Sequence, residues 1–195
     1  MMKATFCTNR ASSLLAVLAV SSAIATADEY FIKPAFGFDL SIAAALPNDR
    51  RFTGSTIGFE LSLLAITNKI RLGYYHEQGQ WHGNDGEQHV STNSNFNAFH
   101  IDYQLFAAAG QQVSLFTNVG HITFHDGLSK SAFAADLGIH YDPLILSARG
   151  VTTNFGVSLV YRYSHISSTQ VFGAGSNPVN DVGGFIAGVH GLVRF

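Results

Sequence analysis

Beyond residue 27 the apolar residues of this chain recur at every second position, and no run of about 18 apolar residues follows that point. Side chains at i, i+2 and i+4 of a strand share one face, so this period specifies strands with one apolar and one polar face. Eight such stretches occur, at roughly 30–43, 55–66, 69–81, 95–107, 111–125, 131–141, 151–168 and 181–195. In the first, Ile32, Phe36, Phe38, Leu40 and Ile42 oppose Lys33, Gly37, Asp39 and Ser41. In the second, Ile57, Phe59, Leu61 and Leu63 oppose Gly58, Glu60 and Ser62. Phe99, Ile101, Tyr103 and Leu105 oppose His100, Asp102 and Gln104 in the fourth. In the sixth, Phe133, Ala135, Leu137, Ile139 and Tyr141 oppose Asp136, Gly138 and His140. The fifth alternates poorly.

A soluble β-sandwich alternates in the same way, with its apolar side chains turned inward. Length and spacing favour a membrane barrel instead. The stretches run to about 10–15 residues, where soluble strands average about 5–6. Short connections (Thr67-Asn68, Ala108-Ala109-Gly110) alternate with long ones (82–94, 169–180), as in outer-membrane barrels. The chain ends in Val189-His190-Gly191-Leu192-Val193-Arg194-Phe195, which resembles the terminal aromatic strand of bacterial outer-membrane proteins. The fold expected is all-β: an eight-stranded antiparallel transmembrane β-barrel of the bacterial outer membrane. Eight strands enclose a space that side chains just fill, so Glu60, Arg71, Asp136 and Arg162 are expected to pair inside it. The connection 142–153 is long for a turn.

Residues 1–27 read as a secretory signal peptide, with Lys3 and Arg10 before the apolar run 13–20 and the cleavage pattern Ala25-Thr26-Ala27. Residues 28–195 then form a single barrel domain. Removing the signal takes away the one cysteine, Cys7, so the mature chain has no disulfide and no Cys-ligated zinc. Without Lys3 and Arg10 the basic count is 11 − 2 = 9 against 13 acidic residues, a formal charge of −4. That excludes a nucleic-acid-binding signature.

The seventh stretch ends in Tyr161-Arg162-Tyr163-Ser164-His165-Ile166-Ser167-Ser168. Val157, Leu159, Tyr161 and Tyr163 form its apolar face, and His165 and Ser167 continue that face. A base beside a hydroxyl is what an activated serine nucleophile needs. With both termini in the periplasm, this strand runs outward and the pair lies near its extracellular end. If the last two strands pair so that position numbers sum to 346, Asp181 sits opposite His165 and Phe195 opposite Val151. Counting back by twos from an outward Phe195 also puts Asp181 on the lipid face.

These residues resemble a known family, the PagL-type outer-membrane lipid A 3-O-deacylases and acyloxyacyl hydrolase-like barrels. That family carries His-x-Ser-Asn on the penultimate strand and an Asn-Pro/Asp-Gly-x-Glu segment leading into the last. His165-Ile166-Ser167 matches the first element, with Ser168 where the family has Asn. Asn177-Pro178-Val179-Asn180-Asp181 resembles the second, ending in Asp rather than Glu. The resemblance implies a carboxylic ester hydrolase with Ser167 as nucleophile, His165 as base and Asp181 as the acid that orients it. It implies no cofactor and no metal. The partners implied are lipid A or lipopolysaccharide and other outer-membrane lipids, with no nucleic acid; a homodimer is compatible with it. The alternative is a non-catalytic small barrel for envelope integrity, adhesion or small apolar ligand binding. Tyr163 and His165 would then be interfacial amphipathic residues and Ser167 the start of a loop.

Among the remaining histidines, His100, His140 and His190 fall on the lumen face, while Trp81-His82 and His89 read as rim and loop residues. His121 and His125 share a face with no carboxylate two or four positions away, and are not read as a metal pair.

Overall fold

The computed structural model describes residues 32–48, 52–85, 88–125, 130–165 and 183–195. They form eight strands: β1 (Lys33–Pro47), β2 (Phe52–Ala65), β3 (Ile70–Asp85), β4 (Gln88–Ala108), β5 (Gln111–His125), β6 (Lys130–Ala148), β7 (Val151–His165) and β8 (Gly184–Arg194). Each pairs antiparallel with its sequence neighbour, and β8 pairs with β1, so the sheet closes into a barrel with no free edge. Phe195 makes the last bond of the seam, its N–H donating to the Phe36 carbonyl at 3.0 Å. The signal-peptide reading falls on residues 1–27, outside the described residues.

The alternation read from sequence is the wall of this barrel. Phe38, Leu40, Ile42, Ile57, Phe99, Leu137, Leu159 and Val189 are exposed on its outside, while Asp39, Glu60, Asp102, Asp136 and Arg162 are buried inside. An exterior of large apolar side chains around a polar interior inverts the soluble arrangement and fits a lipid surround. The β8 parity is as expected: Phe185, Val189 and Phe195 face out, and Ile186, His190 and Leu192 face in.

Strand stagger fixes the shape. The row Gly37–Ser62–Gly73–His100–Asn118–Asp136–Arg162–Gly184 runs from β1 to β8 through successive pairs. Gly37 itself pairs with Arg194 across the seam, so the shear is 194 − 184 = 10 residues. With about 3.3 Å per residue and about 4.8 Å between strands, eight strands with that shear tilt by about 40°. Each step along a row towards β8 therefore climbs about 3 Å along the barrel axis.

Two connections at one end are tight. Ala109 and Gly110 (φ 53° and 76°) and Arg149 and Gly150 (φ 53° and 83°) occupy the left-handed region at both central positions, as a two-residue hairpin loop demands. In the third, Thr67 Oγ1 accepts from the backbone N–H groups of Lys69 and Ile70 at 3.1 and 3.0 Å. Bulges interrupt the ladders near this same end, between Ser62 and Leu64, Gln104 and Phe106, and Tyr141 and Leu144. The bulge at Leu64 puts both Leu63 and Leu64 on the lipid side.

Two connections differ from expectation. The stretch 82–94 is not a long loop: β3 and β4 stay paired to Asp85↔Gln88. Beyond the apolar band both faces of these strands carry polar residues, so the hydrophobic period fades while the backbone ladder continues. The stretch 142–153 is also strand up to the Arg149–Gly150 turn. Pro143 sits within the bulge, where its missing N–H costs no ladder bond, and the parity changes across it.

Candidate functional site

The lumen is filled in two layers. Towards the ends with the longer connections lies an apolar plug that includes Phe52, Trp81, Phe96, Ile122, Phe124 and Ile186. Trp81 is buried and donates Nε1–H to Ser94 Oγ at 2.8 Å; it is not the rim residue expected from sequence. It sits on an odd position of β3, the inward parity, and the barrel interior continues past the apolar belt to receive it. His82 and His89 are exposed, on strands rather than in a loop. The inward Phe116, Ile122 and Phe124 also explain why β5 alternated poorly: apolar residues occupy both of its faces.

Below the plug the interior is a charge network. Arg162, 1% exposed, donates to Glu77 at 2.6 and 3.1 Å and to Asp136 at 2.7 and 2.9 Å. Its guanidinium also lies 4.4 Å from the centre of the Phe96 ring. Tyr75 donates to Glu77 at 2.9 Å and Asn118 to Asp136 at 3.3 Å, so both carboxylates are held from two sides. His100 joins Asn118 at 2.7 Å and Glu60 at 3.1 Å. The pairing expected of Glu60, Arg71, Asp136 and Arg162 is thus real for Arg162 with Asp136, whereas Glu60 takes His100. Arg71 stands opposite Asp102 in the β3–β4 register. Glu77, which completes the Arg162 clamp, escaped the sequence reading; its inward parity on β3 was the available signal.

His100, His140 and His190 all belong to the lumen, as expected. His190 lies 2.9 Å from Asp39 and 2.9 Å from Asp142, and its ring stacks on that of His140 at 4.1 Å. Asp39, His140 and His190 are close enough to share an ion. His190 Nδ1 is hydrogen-bonded to Asp39 and its Nε2 lies at ion-pair distance from Asp142, so the cluster reads as a charge-paired brace. The void between the two layers is about 30 Å³, room for about one water and no substrate. Anything larger than a water does not fit in that void.

Of the expected triad, the described residues include the backbone of His165 alone. His165 is the last residue of β7 and pairs with Phe133 of β6. Ser167 and Asp181 lie outside the described residues. The β7–β8 register runs from Thr152↔Arg194 to Arg162↔Gly184, and every pair sums to 346, the value assumed from the sequence. Around this end of β7 the outer wall is aromatic. Tyr161 packs edge-on against Phe185 with ring centres 5.2 Å apart, and Tyr163 and Phe133 stand exposed beside them. Asn48 donates its amide to the Tyr161 hydroxyl at 3.4 Å, joining this rim to the end of β1.

A second outward feature was not foreseen. One row on the outer wall reads Phe59–His76–Asn97–His121–Phe133. Asn97 Oδ1 accepts from the Tyr74 hydroxyl at 2.5 Å and lies 2.7 Å from His76 Nδ1. Below it an apolar groove of about 430 Å³ opens on the wall, lined by Leu63, Leu64, Leu72, Phe99 and Val119 among others.

No known protein family and no curated protein matches this sequence. Among solved structures the chain is similar to Neisserial surface protein A (NspA), at 10% identity and TM-score 0.47, covering 84% of this chain and 97% of that one. It is likewise similar to the outer membrane protein OprG from Pseudomonas aeruginosa, at 12% identity and TM-score 0.48, covering 84% and 97%. Similarity extends to the N-terminal β-barrel domain of Pseudomonas aeruginosa OprF, at 10% identity and TM-score 0.39, covering 85% and 100%. The assignment rests on the chain's own geometry: a closed eight-stranded barrel with an apolar exterior and a filled polar lumen is a transmembrane barrel of the outer-membrane type.

Proposed function

We propose that this barrel is a lipid A deacylase, a serine esterase that removes an ester-linked acyl chain in the outer leaflet of the bacterial outer membrane. The observation that carries the reading is the β7–β8 register. It keeps the sum of 346 from Thr152↔Arg194 to Arg162↔Gly184, and that is the sum under which position 181 would stand opposite His165 if the pairing ran on. The sequence resemblance assigns base, nucleophile and acid to His165, Ser167 and Asp181. In this scheme Ser167 Oγ attacks the ester carbonyl while His165 takes its proton. His165 returns that proton to the departing alkoxide of the sugar as the C–O bond breaks, leaving an acyl-serine. Water, deprotonated by His165, releases the fatty acid. Asp181 holds the imidazole in the required tautomer. The aromatic rim of Tyr161, Tyr163, Phe133 and Phe185 supports the reading, since a membrane-embedded esterase must seat its substrate at the interface.

The test is mass spectrometry of lipid A from cells making the full chain. Wild type is expected to lower the mass by one acyl chain. Ser167→Ala and His165→Ala are expected to abolish that loss, by analogy with a serine protease triad in which each costs on the order of 10⁶ in turnover. Asp181→Asn should cost less, on the order of 10⁴, and Asp181→Glu should retain activity. Deacylation that survives Ser167→Ala would rule the mechanism out. A second reading is a non-catalytic barrel, favoured by Ser168 in place of the family's Asn. Unchanged lipid A from a folded wild type would select it.

A further inference from the structure

The apolar belt of this barrel is not level. Row Tyr74–Phe99–Val119–Ala135–Tyr163 is the last apolar row before the polar residues on β3, β4 and β5. Rows climb about 3 Å per strand, so this one stands about 12 Å lower at β3 than at β7. A membrane surface is flat on that scale. His76 and Asn97, one row above, therefore lie at the depth of Ile57 on β2 and Tyr161 on β7, both apolar or aromatic and exposed to the same bilayer. Hydrogen-bonding groups at that depth lie where the apolar belt meets the foot of the aromatic rim, out of reach of bulk water, and are costly unless something pairs with them.

Their mutual bonds leave a defined remainder. Asn97 Oδ1 is used by Tyr74 and His76, so the two amide N–H donors of Asn97 face outward uncommitted by those bonds. His76 gives its Nδ1–H to Asn97, so its Nε2 presents a lone pair. His121 stands opposite Asn97 on the next strand, with its ring edge-on to Phe133. The notch thus offers a donor pair beside an acceptor, at the upper end of an apolar groove of about 430 Å³ whose own lining includes Asn97 and Tyr74.

We propose that this wall, between β2 and β5, is a binding site for one outer-leaflet lipid: an acyl chain lies in the groove, its carbonyl accepts from Asn97, and a hydroxyl or amide N–H next to that carbonyl donates to His76. The surround argues for this occupant, because the groove opens onto the membrane-facing side of the barrel and lipid is what lies there. The donor-acceptor order narrows its chemistry. A 3-hydroxyacyl or amide-linked chain satisfies both groups, whereas a glycerophospholipid with plain ester carbonyls satisfies only Asn97. The site stands apart from hydrolysis and requires neither Ser167 nor Asp181.

Native mass spectrometry of the full chain in detergent tests it, with lipid A and phosphatidylethanolamine as the two probes. Wild type is expected to retain one lipid A molecule under conditions that strip phosphatidylethanolamine, a preference of about tenfold in Kd. This comparison needs no variant. Asn97→Leu should remove the preference, His76→Phe should reduce it, and Leu159→Ala on the opposite wall should leave it intact. Heat-modifiable migration of each variant verifies its fold. Equal retention of both lipids by wild type would overturn the proposal, as would a preference unchanged in Asn97→Leu. Dimers formed by wild type and lost in Asn97→Leu would also overturn it, by making this wall an interface between copies. Hydrolysis is read from the mass of the lipid A and this site from the lipid preference lost in Asn97→Leu, so loss of hydrolysis and loss of this site are separable.

Discussion

Arg162→Met is the most informative single change to the fold. The methionine keeps most of the apolar stem but removes four charge-assisted hydrogen bonds, leaving Glu77 and Asp136 facing each other in a closed interior. Removing one member of a buried ion pair costs about 3–5 kcal/mol, because the remaining charge is left without its partner. Here two carboxylates lose one shared cation, and Phe96 loses its contact with the guanidinium, so the upper end, about 5 kcal/mol, is expected. Urea unfolding in lipid vesicles, followed by the fluorescence of Trp81, the one tryptophan of the chain, reads the difference directly. The triple variant Arg162→Met, Glu77→Met, Asp136→Leu should recover most of the loss, since replacing all the buried charges with apolar side chains is often close to neutral. A single variant within about 1 kcal/mol of wild type would refute the reasoning, because that is the strength of a solvent-screened pair. So would a triple variant no more stable than the single one.

Three further expectations follow from particular contacts. Ser94→Ala strands the buried indole N–H of Trp81 and should cost about 1–3 kcal/mol in the same unfolding assay. Gly120→Val would push a Cβ into the Asn97 carbonyl on β4, so the refolded, heat-modifiable form should be destabilised by at least about 1–3 kcal/mol or lost. Ala109→Asn, at a turn position with φ 53°, should raise stability by about 0.5–1 kcal/mol, because asparagine tolerates the left-handed region better than alanine does.

The fold was legible because a membrane barrel writes itself in period two. Leu40, Ile57, Leu137 and Val189 announced the outer face, and the β7–β8 register has the sum of 346 assumed from the sequence. Period two fails wherever both faces have the same character. Phe116, Ile122 and Phe124 hid β5 in this way, and Thr92 and Ser94 inside with Ser91 and Asn93 outside hid the outer half of β4. Parity is local to a strand, whereas partners across the lumen are set by closure. Glu77 could be placed inside from sequence, but its meeting with Arg162, 85 residues away, could not. Depth is equally invisible to alternation. The polar row through His76 and Asn97 stands out only once the shear is known. The candidate triad is a motif of the sequence, and among the described residues it is represented by His165, where β7 ends.

The clamp on Arg162 has a mechanical meaning as well. Glu77 is on β3 and Arg162 on β7, four strands apart in a ring of eight, so the two residues anchor opposite walls of the cylinder. A thin tube embedded in a fluid sheet is squeezed unevenly and deforms most easily by becoming oval, which lengthens one diameter and shortens the other. A rigid guanidinium fork bound at both sides fixes one diameter at that height and resists both motions, as a spoke trues a wheel. The wall above it, where β7 leads into the candidate catalytic segment, is thereby held to constant curvature while the lipids around it move.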